Sequence, residues 1–184
     1  MKIRKKIYRF WTKIMMNINP SKAAKMMGVD IRGGVRMSKN IHFGTEPWLI
    51  TIEGNTIITD GVRFLTHDGS VNTLRKLDTK YAKVQKFGRI HVKENVFIGN
   101  EAYIMPNVTI GRNAIVGARS VVTKDVPDNS VVVGVPAKVI CTVDELAEKF
   151  LANTPDYSDW HSTKEKMKTS AMIADYWREK TSQR

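Results

Sequence analysis

From Val92 to Val126 the chain returns an aliphatic residue at every sixth position: Val92, Ile98, Ile104, Ile110, Val116 and Val122. Four residues into each block stands a second small or branched residue: Val96, Ala102, Val108, Ala114, Ser120 and Val126. A helix would space its apolar positions alternately by three and four, and a half-buried strand by two. A sustained period of six fits neither and marks a repeat architecture. Each block then supplies one short strand and one bend, and three blocks close a triangular coil. Successive coils stack at the strand spacing of about 4.8 Å, so the leading aliphatics form one core that no single coil could bury. Gly99, Gly111 and Gly117, with Asn95, Asn107 and Asn113 near the corners, suit bends with unusual backbone angles.

A degenerate copy of the same frame runs upstream. It starts at Ile31, continues at Met37 and Phe43, slips by three at GTEPWLIT, and resumes at Ile52, Ile58 and Phe64. Together the two halves make twelve blocks, about four coils. After Phe64 the frame breaks, and HDGSVNTLRKLDTKYAKVQKFGRI (67–90) shows no period of six. A loop of this length inside a compact repeat is functional or disordered. The coils are expected to end near Pro136 and Val139. Three segments follow: a basic helical segment at 1–30, a repeat domain at 31–141 with a loop insertion at 67–91, and a helical tail at 142–184.

In the first segment Ile3, Ile7, Phe10, Trp11, Ile14 and Met15 fall at helical spacing, with basic residues mostly elsewhere around the helix. This amphipathic stripe has two readings: packing on the end of the coils, or lying on an anionic membrane surface. Pro20 after Asn19 opens a second short helix, which Gly28 ends. In the tail, 143–152 reads as helix, 155–162 as loop and 164–180 as a second helix.

Charge narrows the partners. The net charge of +12 favours acidic ones. Residues 1–29 hold eight Lys and Arg and no acid, but the remaining positive charge is spread over loop and tail with no nucleic-acid reading motif. Nucleic acid is therefore not expected as a partner. Cys141 is the single cysteine, which excludes an internal disulfide and suits a reducing compartment. No apolar run approaches the roughly 20 residues of a membrane span, and no signal-peptide pattern opens the chain. The expected location is cytoplasmic, with peripheral membrane contact through the basic helix left open.

The repeat run and its closing segment SVVTKDVPDNSVVVGVPAKVI (120–140) resemble the hexapeptide-repeat acyltransferases, in the sugar and polysaccharide O-acetyltransferase branch. The resemblance implies a mainly β fold, a left-handed parallel β-helix solenoid flanked by N-terminal and C-terminal helices. The left hand comes from the family, since generic crossover rules favour the right. It also implies a homotrimer, with acetyl-CoA as acyl donor and sites at the subunit boundaries.

Four histidines are candidates for the base: His42, His67, His91 and His161. Imidazole titrates near neutral pH and can take a proton from a hydroxyl. Relatives carry their catalytic histidine where the β-helix gives way to a protruding loop, and His67 occupies that place, although His-Pro is frequent there and this chain has His67-Asp68. His91 is the second candidate. Glu46, in the frame-shifting GTEPW segment, is the candidate partner on the other ring nitrogen. Trp48, Asp68 and Arg75 are candidate acceptor-site residues. By resemblance Asn100 and Ala118 meet the pantetheine arm, while Lys124 and Lys138 meet the cofactor phosphates. Cys141 stands where relatives often have Arg, so one phosphate contact is expected to be missing or supplied elsewhere.

The function implied is acetyl transfer to a sugar hydroxyl, of a surface polysaccharide or its precursor. Xenobiotic or amino-sugar N-acetyl transfer and a non-catalytic glycan-binding scaffold are the alternatives. A γ-type carbonic anhydrase shares the solenoid but needs three histidines converging on zinc. The chain has no pair at the matching spacing, so no metal is expected.

Overall fold

A computed structural model describes residues 2–153, together with Ile173, Asp175, Arg178 and Glu179, and side chains from Phe10 onward. The expected loop at 155–162, nearly all of the expected helix at 164–180, and His161 lie outside the described residues. The chain divides into a unit at 1–143 and a second at 144–184.

Helix α1 (Lys2–Ile18) is followed directly by α2 (Pro20–Met27). Asn19 caps α2 by accepting from the Lys22 N–H, Pro20 takes the first turn where no N–H is needed, and Gly28 closes the helix in the left-handed region. The strands then come in circuits. The first holds β1 (Asp30–Ile31) and β2 (Val35–Met37). The second holds β3 (Ile50–Ile52), β4 (Thr56–Ile58) and β5 (Arg63–Phe64). The third holds β6 (Ile90–Val92), β7 (Phe97–Ile98) and β8 (Tyr103–Ile104). The fourth holds β9 (Val108–Ile110), β10 (Ile115–Val116) and β11 (Val121–Val122). After it come β12 (Ser130–Gly134), β13 (Ala137–Thr142) and helix α4 (Val143–Asn153).

The chain visits three sheets in a fixed cyclic order. The first sheet runs β1-β3-β6-β9, the second β13-β12-β10-β7-β4-β2 and the third β11-β8-β5. All pairings are parallel except that of β12 with β13. The register puts the six-residue frame in line: Ile52 beside Val92 beside Ile110, Ile58 beside Ile98 beside Val116, and Phe64 beside Ile104 beside Val122. These residues are all buried and belong to one continuous hydrophobic core. One circuit alone would leave its aliphatics open to water above and below, so burial comes from stacking.

The corners are held by residues with positive φ. Asn55, Asn95, Asn113 and Asn129 follow one another up a single corner, with φ of 56°, 57°, 55° and 57°. Asparagine tolerates this region because its short amide forms local hydrogen bonds. Here the amides also bond along the stack: Asn95 Nδ2 donates to Asn113 Oδ1 at 2.8 Å, and Asn113 Nδ2 to Asn129 Oδ1 at 2.7 Å.

Four features differ from the sequence-based expectations. Ile90 is buried within β6, so the insertion ends at Arg89 rather than at 91, and it contains a helix, α3 (Val71–Leu77). Val126 lies beside Ile110 instead of Val108, because the run from Val122 to Val126 is two residues shorter than the corresponding run from Ile104 to Ile110. The repeat region closes with the antiparallel β12–β13 hairpin, running on to Thr142. Finally, α1 turns Thr12, which is buried, and Met16 toward the body, whereas Phe10, Trp11 and Ile18 are exposed.

Candidate active site

The site lies at the corner where β5 would pass to the first sheet. In the third circuit that corner is turned by Asn107. One circuit earlier the corresponding place is His67, and the insertion begins there. The insertion returns alongside: His67 pairs antiparallel with Phe87, and the Gly88 N–H donates to the Thr66 carbonyl at 2.8 Å. Gly88 is required at that return. A Cβ there would come within 2.5 Å of the Asn107 backbone nitrogen.

The frame slip in the first circuit supplies the second half of the site. After buried Phe43, whose ring stacks on Phe64 at 5.7 Å, the chain bends through Gly44 and Thr45 to Glu46, ahead of a short 3₁₀ turn at Pro47–Leu49. This delivers the Glu46 carboxylate to His67, with Oε2 at 2.9 Å from Nδ1. Thr66 donates its hydroxyl to the same oxygen at 2.8 Å, and Thr45 donates to Oε1 at 2.6 Å. Thr45 Oγ1 is also 3.1 Å from His67 Nδ1. Burial pushes the Glu46 carboxyl up, but hydrogen bonds from Thr45, Thr66 and His67 outweigh it and hold the group below its ordinary range. An ionised carboxylate only accepts, so Nδ1 must carry the proton it receives. The Nε2 lone pair is then directed away from Glu46, on a ring whose side chain is 41% exposed, against 17% for Glu46. A polarised imidazole with one basic nitrogen open to solvent is the arrangement a general base requires.

Asp68 does not contact the His67 nitrogens. It accepts from the Ser70 N–H at 2.9 Å and pairs with Lys86 Nζ at 3.2 Å, clasping the two ends of the insertion. The Ser70 hydrogen bonds, and then Lys86, lower its pKa to about 2. Arg75 braces the insertion as well, donating from Nε and Nη2 to the Val84 carbonyl at 2.9 and 2.6 Å and from Nη1 to Asn72. Trp48 follows Glu46 by two residues and is exposed.

The remaining predicted residues stand elsewhere. Asn100 and Ala118 are exposed at successive levels of the corner between the second and third sheets. Asn100 uses its carbonyl for the Arg119 N–H at 2.8 Å and its Oδ1 for the Asp60 N–H at 3.1 Å. Lys124 and Lys138 are exposed, the first after β11 and the second in β13. Within one chain His67 and the Asn100–Ala118 corner therefore occupy different corners. His91, the second candidate base, lies on the outer side of the first sheet with Nε2 at 2.8 Å from Glu53 Oε1. His42 pairs with Arg63.

Sequence reasoning missed Thr45 and Thr66. Thr66 is fully buried immediately before the histidine; a buried hydroxyl requires a partner, and the partner is Glu46, a relation that only the folded chain shows.

Residues 89–124 match the family model described as bacterial transferase hexapeptide (six repeats). The chain is 44% identical over 116 residues to Protein CapG of Staphylococcus aureus, an overlap of 63% of this chain and 65% of that protein. It is 36% identical over 114 residues to galactoside O-acetyltransferase of Lactococcus lactis subsp. lactis, covering 55% of this chain and 52% of that one. The chain thus spans roughly half to two thirds of the length of these relatives. Among solved structures, a galactoside acetyltransferase in complex with coenzyme A superimposes with a TM-score of 0.53 at 27% identity, over 77% of this chain and 83% of that one. A maltose O-acetyltransferase from Clostridium difficile 630 shares the fold, with a TM-score of 0.52 at 23% identity over 73% of this chain and 85% of that one.

Proposed function

We propose that this chain is an acetyl-CoA-dependent O-acetyltransferase whose acceptor is a sugar hydroxyl, of a surface polysaccharide or its precursor. Its fold is read as a left-handed parallel β-helix solenoid, supported by the cyclic order of the three sheets and by the hexapeptide match. The observation that carries the function is the Glu46–His67 pair at the mouth of the insertion. The galactoside O-acetyltransferase relatives and the coenzyme A-bound neighbour support the choice of donor and acceptor class.

In this mechanism His67 Nε2 removes the proton from an acceptor hydroxyl as its oxygen attacks the thioester carbonyl. The C–O bond forms, the C–S bond breaks, and the imidazolium returns the proton to the leaving thiolate. Glu46 stabilises the transient imidazolium and fixes the tautomer; Thr45 and Thr66 hold Glu46. In this reading Asn100 and Ala118 meet the pantetheine arm, as the family resemblance implies, with Lys124 and Lys138 as point charges for phosphates. Asn100 fits that role in part. Its carbonyl and Oδ1 already accept from the protein, so its amide hydrogens are what it offers an incoming arm.

The separation of His67 from the Asn100–Ala118 corner favours a homotrimer in which one chain supplies the base and its neighbour the donor groove. Trp48 and the 67–89 insertion, braced by Asp68 and Arg75, frame the acceptor side.

The test is incubation with acetyl-CoA and a panel of mono- and oligosaccharides, followed by mass spectrometry. A product that gains one acetyl group and loses it in mild alkali establishes an ester and supports the reading. An alkali-stable product indicates an amide and moves the chemistry to an amino sugar. Coenzyme A binding without transfer to any sugar would count against the acceptor class.

A further inference from the structure

From Phe10 onward, helix α1 presents to solvent much of the side that its sequence makes apolar. With 3.6 residues per turn, Thr12 and Met16 share the side turned to the body, while Phe10, Ile14 and Ile18 lie across the helix from them with Trp11 at their flank. Exposure largely follows that division: Thr12 is 8% exposed, against 63% for Phe10, 55% for Trp11 and 73% for Ile18, with Ile14 half-buried between them. On the body side, α1 borders a cavity of about 500 Å³ shared with Met27, Asn40, Ile41 and His42.

The charge of the segment says what the outer side meets. Lys2, Arg4, Lys5, Lys6, Arg9 and Lys13 all lie on α1, and the first acidic residue of the chain is Asp30. A protein–protein contact depletes lysine from its centre. By the same spacing Arg4 and Lys6 fall at the margins of the ridge and the other Lys and Arg farther round, and a helix with an aromatic and aliphatic ridge, basic margins and no acid of its own is suited instead to lie in the plane of an anionic lipid surface. No helix among the described residues is long and apolar enough to cross a membrane, so the contact would be at the surface.

We propose that α1 docks this protein on an anionic bilayer surface, with Phe10, Trp11 and Ile18 entering the boundary between headgroups and acyl chains while the basic charge of the helix meets lipid phosphates. This goes beyond acyl transfer and does not depend on it. It places the catalytic unit beside a membrane surface, where a lipid-linked acceptor would be presented.

Co-sedimentation of the full chain with vesicles tests the proposal, using phosphatidylcholine alone and phosphatidylcholine mixed with phosphatidylglycerol, at low and high salt. The mixed vesicles should bind at least about tenfold more protein than the neutral ones, and salt should weaken the binding. The double variant Phe10→Ser/Trp11→Ser should lose at least about tenfold with its circular dichroism unchanged, because both side chains are already exposed. Arg4→Gln/Lys6→Gln should weaken binding to mixed vesicles only. Equal binding to both vesicle types, no binding, or full binding by the Phe10/Trp11 variant would overturn the proposal. So would a change in that variant's sedimentation velocity without lipid, which would assign the ridge to a second copy of the chain. Acetyl transfer to a soluble acceptor should be the same in all variants, which keeps the two readings separable.

Discussion

Replacing Glu46 by Gln keeps the shape of the side chain and removes its charge. In the native site the carboxylate accepts from His67 Nδ1, Thr66 and Thr45 at 2.9, 2.8 and 2.6 Å. Two consequences follow. First, the imidazolium formed during transfer loses an anionic partner. A hydrogen bond to a charged group contributes about 1.5–3 kcal/mol, against about 0.5–1.5 for a neutral one. His67 is partly exposed, so screening keeps the difference toward the low end, about 1–2 kcal/mol, or roughly 5- to 30-fold in rate. Second, the tautomer is no longer fixed. Thr45 Oγ1 lies 3.1 Å from Nδ1, and once the amide NH₂ faces it, its hydroxyl is free to donate to that nitrogen. The proton would then sit on Nε2 and the base would be blocked, a loss that approaches about 10⁴-fold when the wrong tautomer dominates. Glu46→Gln should therefore lower kcat by between about 10 and 10⁴, with KM for acetyl-CoA little changed. Thiol release measured with a coupled chromophore gives both constants, and an unchanged unfolding midpoint excludes a folding defect. A rate within threefold of wild type, in a preparation where His67→Ala is inactive, would refute Glu46 as the positioning partner.

Three further outcomes are expected. Ile104→Ala removes a side chain with no exposure from the middle of a stacked ladder, and should cost about 2–5 kcal/mol in denaturant unfolding without altering the site chemistry. Gly99→Ala would bring a Cβ within 2.5 Å of the Ala118 nitrogen, which is backbone and cannot rotate away; coenzyme A affinity and stability should fall together, by about 1–3 kcal/mol for stability. Asp68 has a folded pKa depressed to about 2 from the ordinary 3.8, so its clasp on the insertion is fully present above the ordinary value and is lost as pH falls through about 2. At neutral pH, Asp68→Asn should raise hydrogen exchange or protease cleavage within 67–89 while the unfolding midpoint stays near wild type, and unchanged protection there would contradict the clasp.

Much of the fold is legible because the interior is one-dimensional. Each inward residue meets its counterpart one circuit away, so the period of six and the pairing register carry the same information. Irregularities in that period were harder to read. Val126 suits an inward place in either of two frames, and only the backbone shows that the circuit before it is short. The β12–β13 hairpin hides in a run, SVVVGVPAKVI, whose apolar residues suit parallel and antiparallel pairing alike. In the site, His67 is marked by the broken frame and Glu46 by the slip of three. That these two interruptions meet at one corner is a fact of stacking rather than of spacing. The hydroxyls of Thr45 and Thr66 have no periodic signature, and their role appears only once Glu46 is in place. The apolar stripe of α1 is visible in the sequence, but an amphipathic pattern does not say which side faces the body.

The most direct test compares His67→Ala with wild type in acceptor-dependent thiol release at saturating acetyl-CoA. With Nε2 as the base, the variant should fall by at least about 10²-fold, the lower end of what a positioned acid–base group contributes, while coenzyme A affinity measured by calorimetry stays within a few-fold of wild type. A variant that keeps its rate would contradict the account and direct attention to His91 and its partner Glu53.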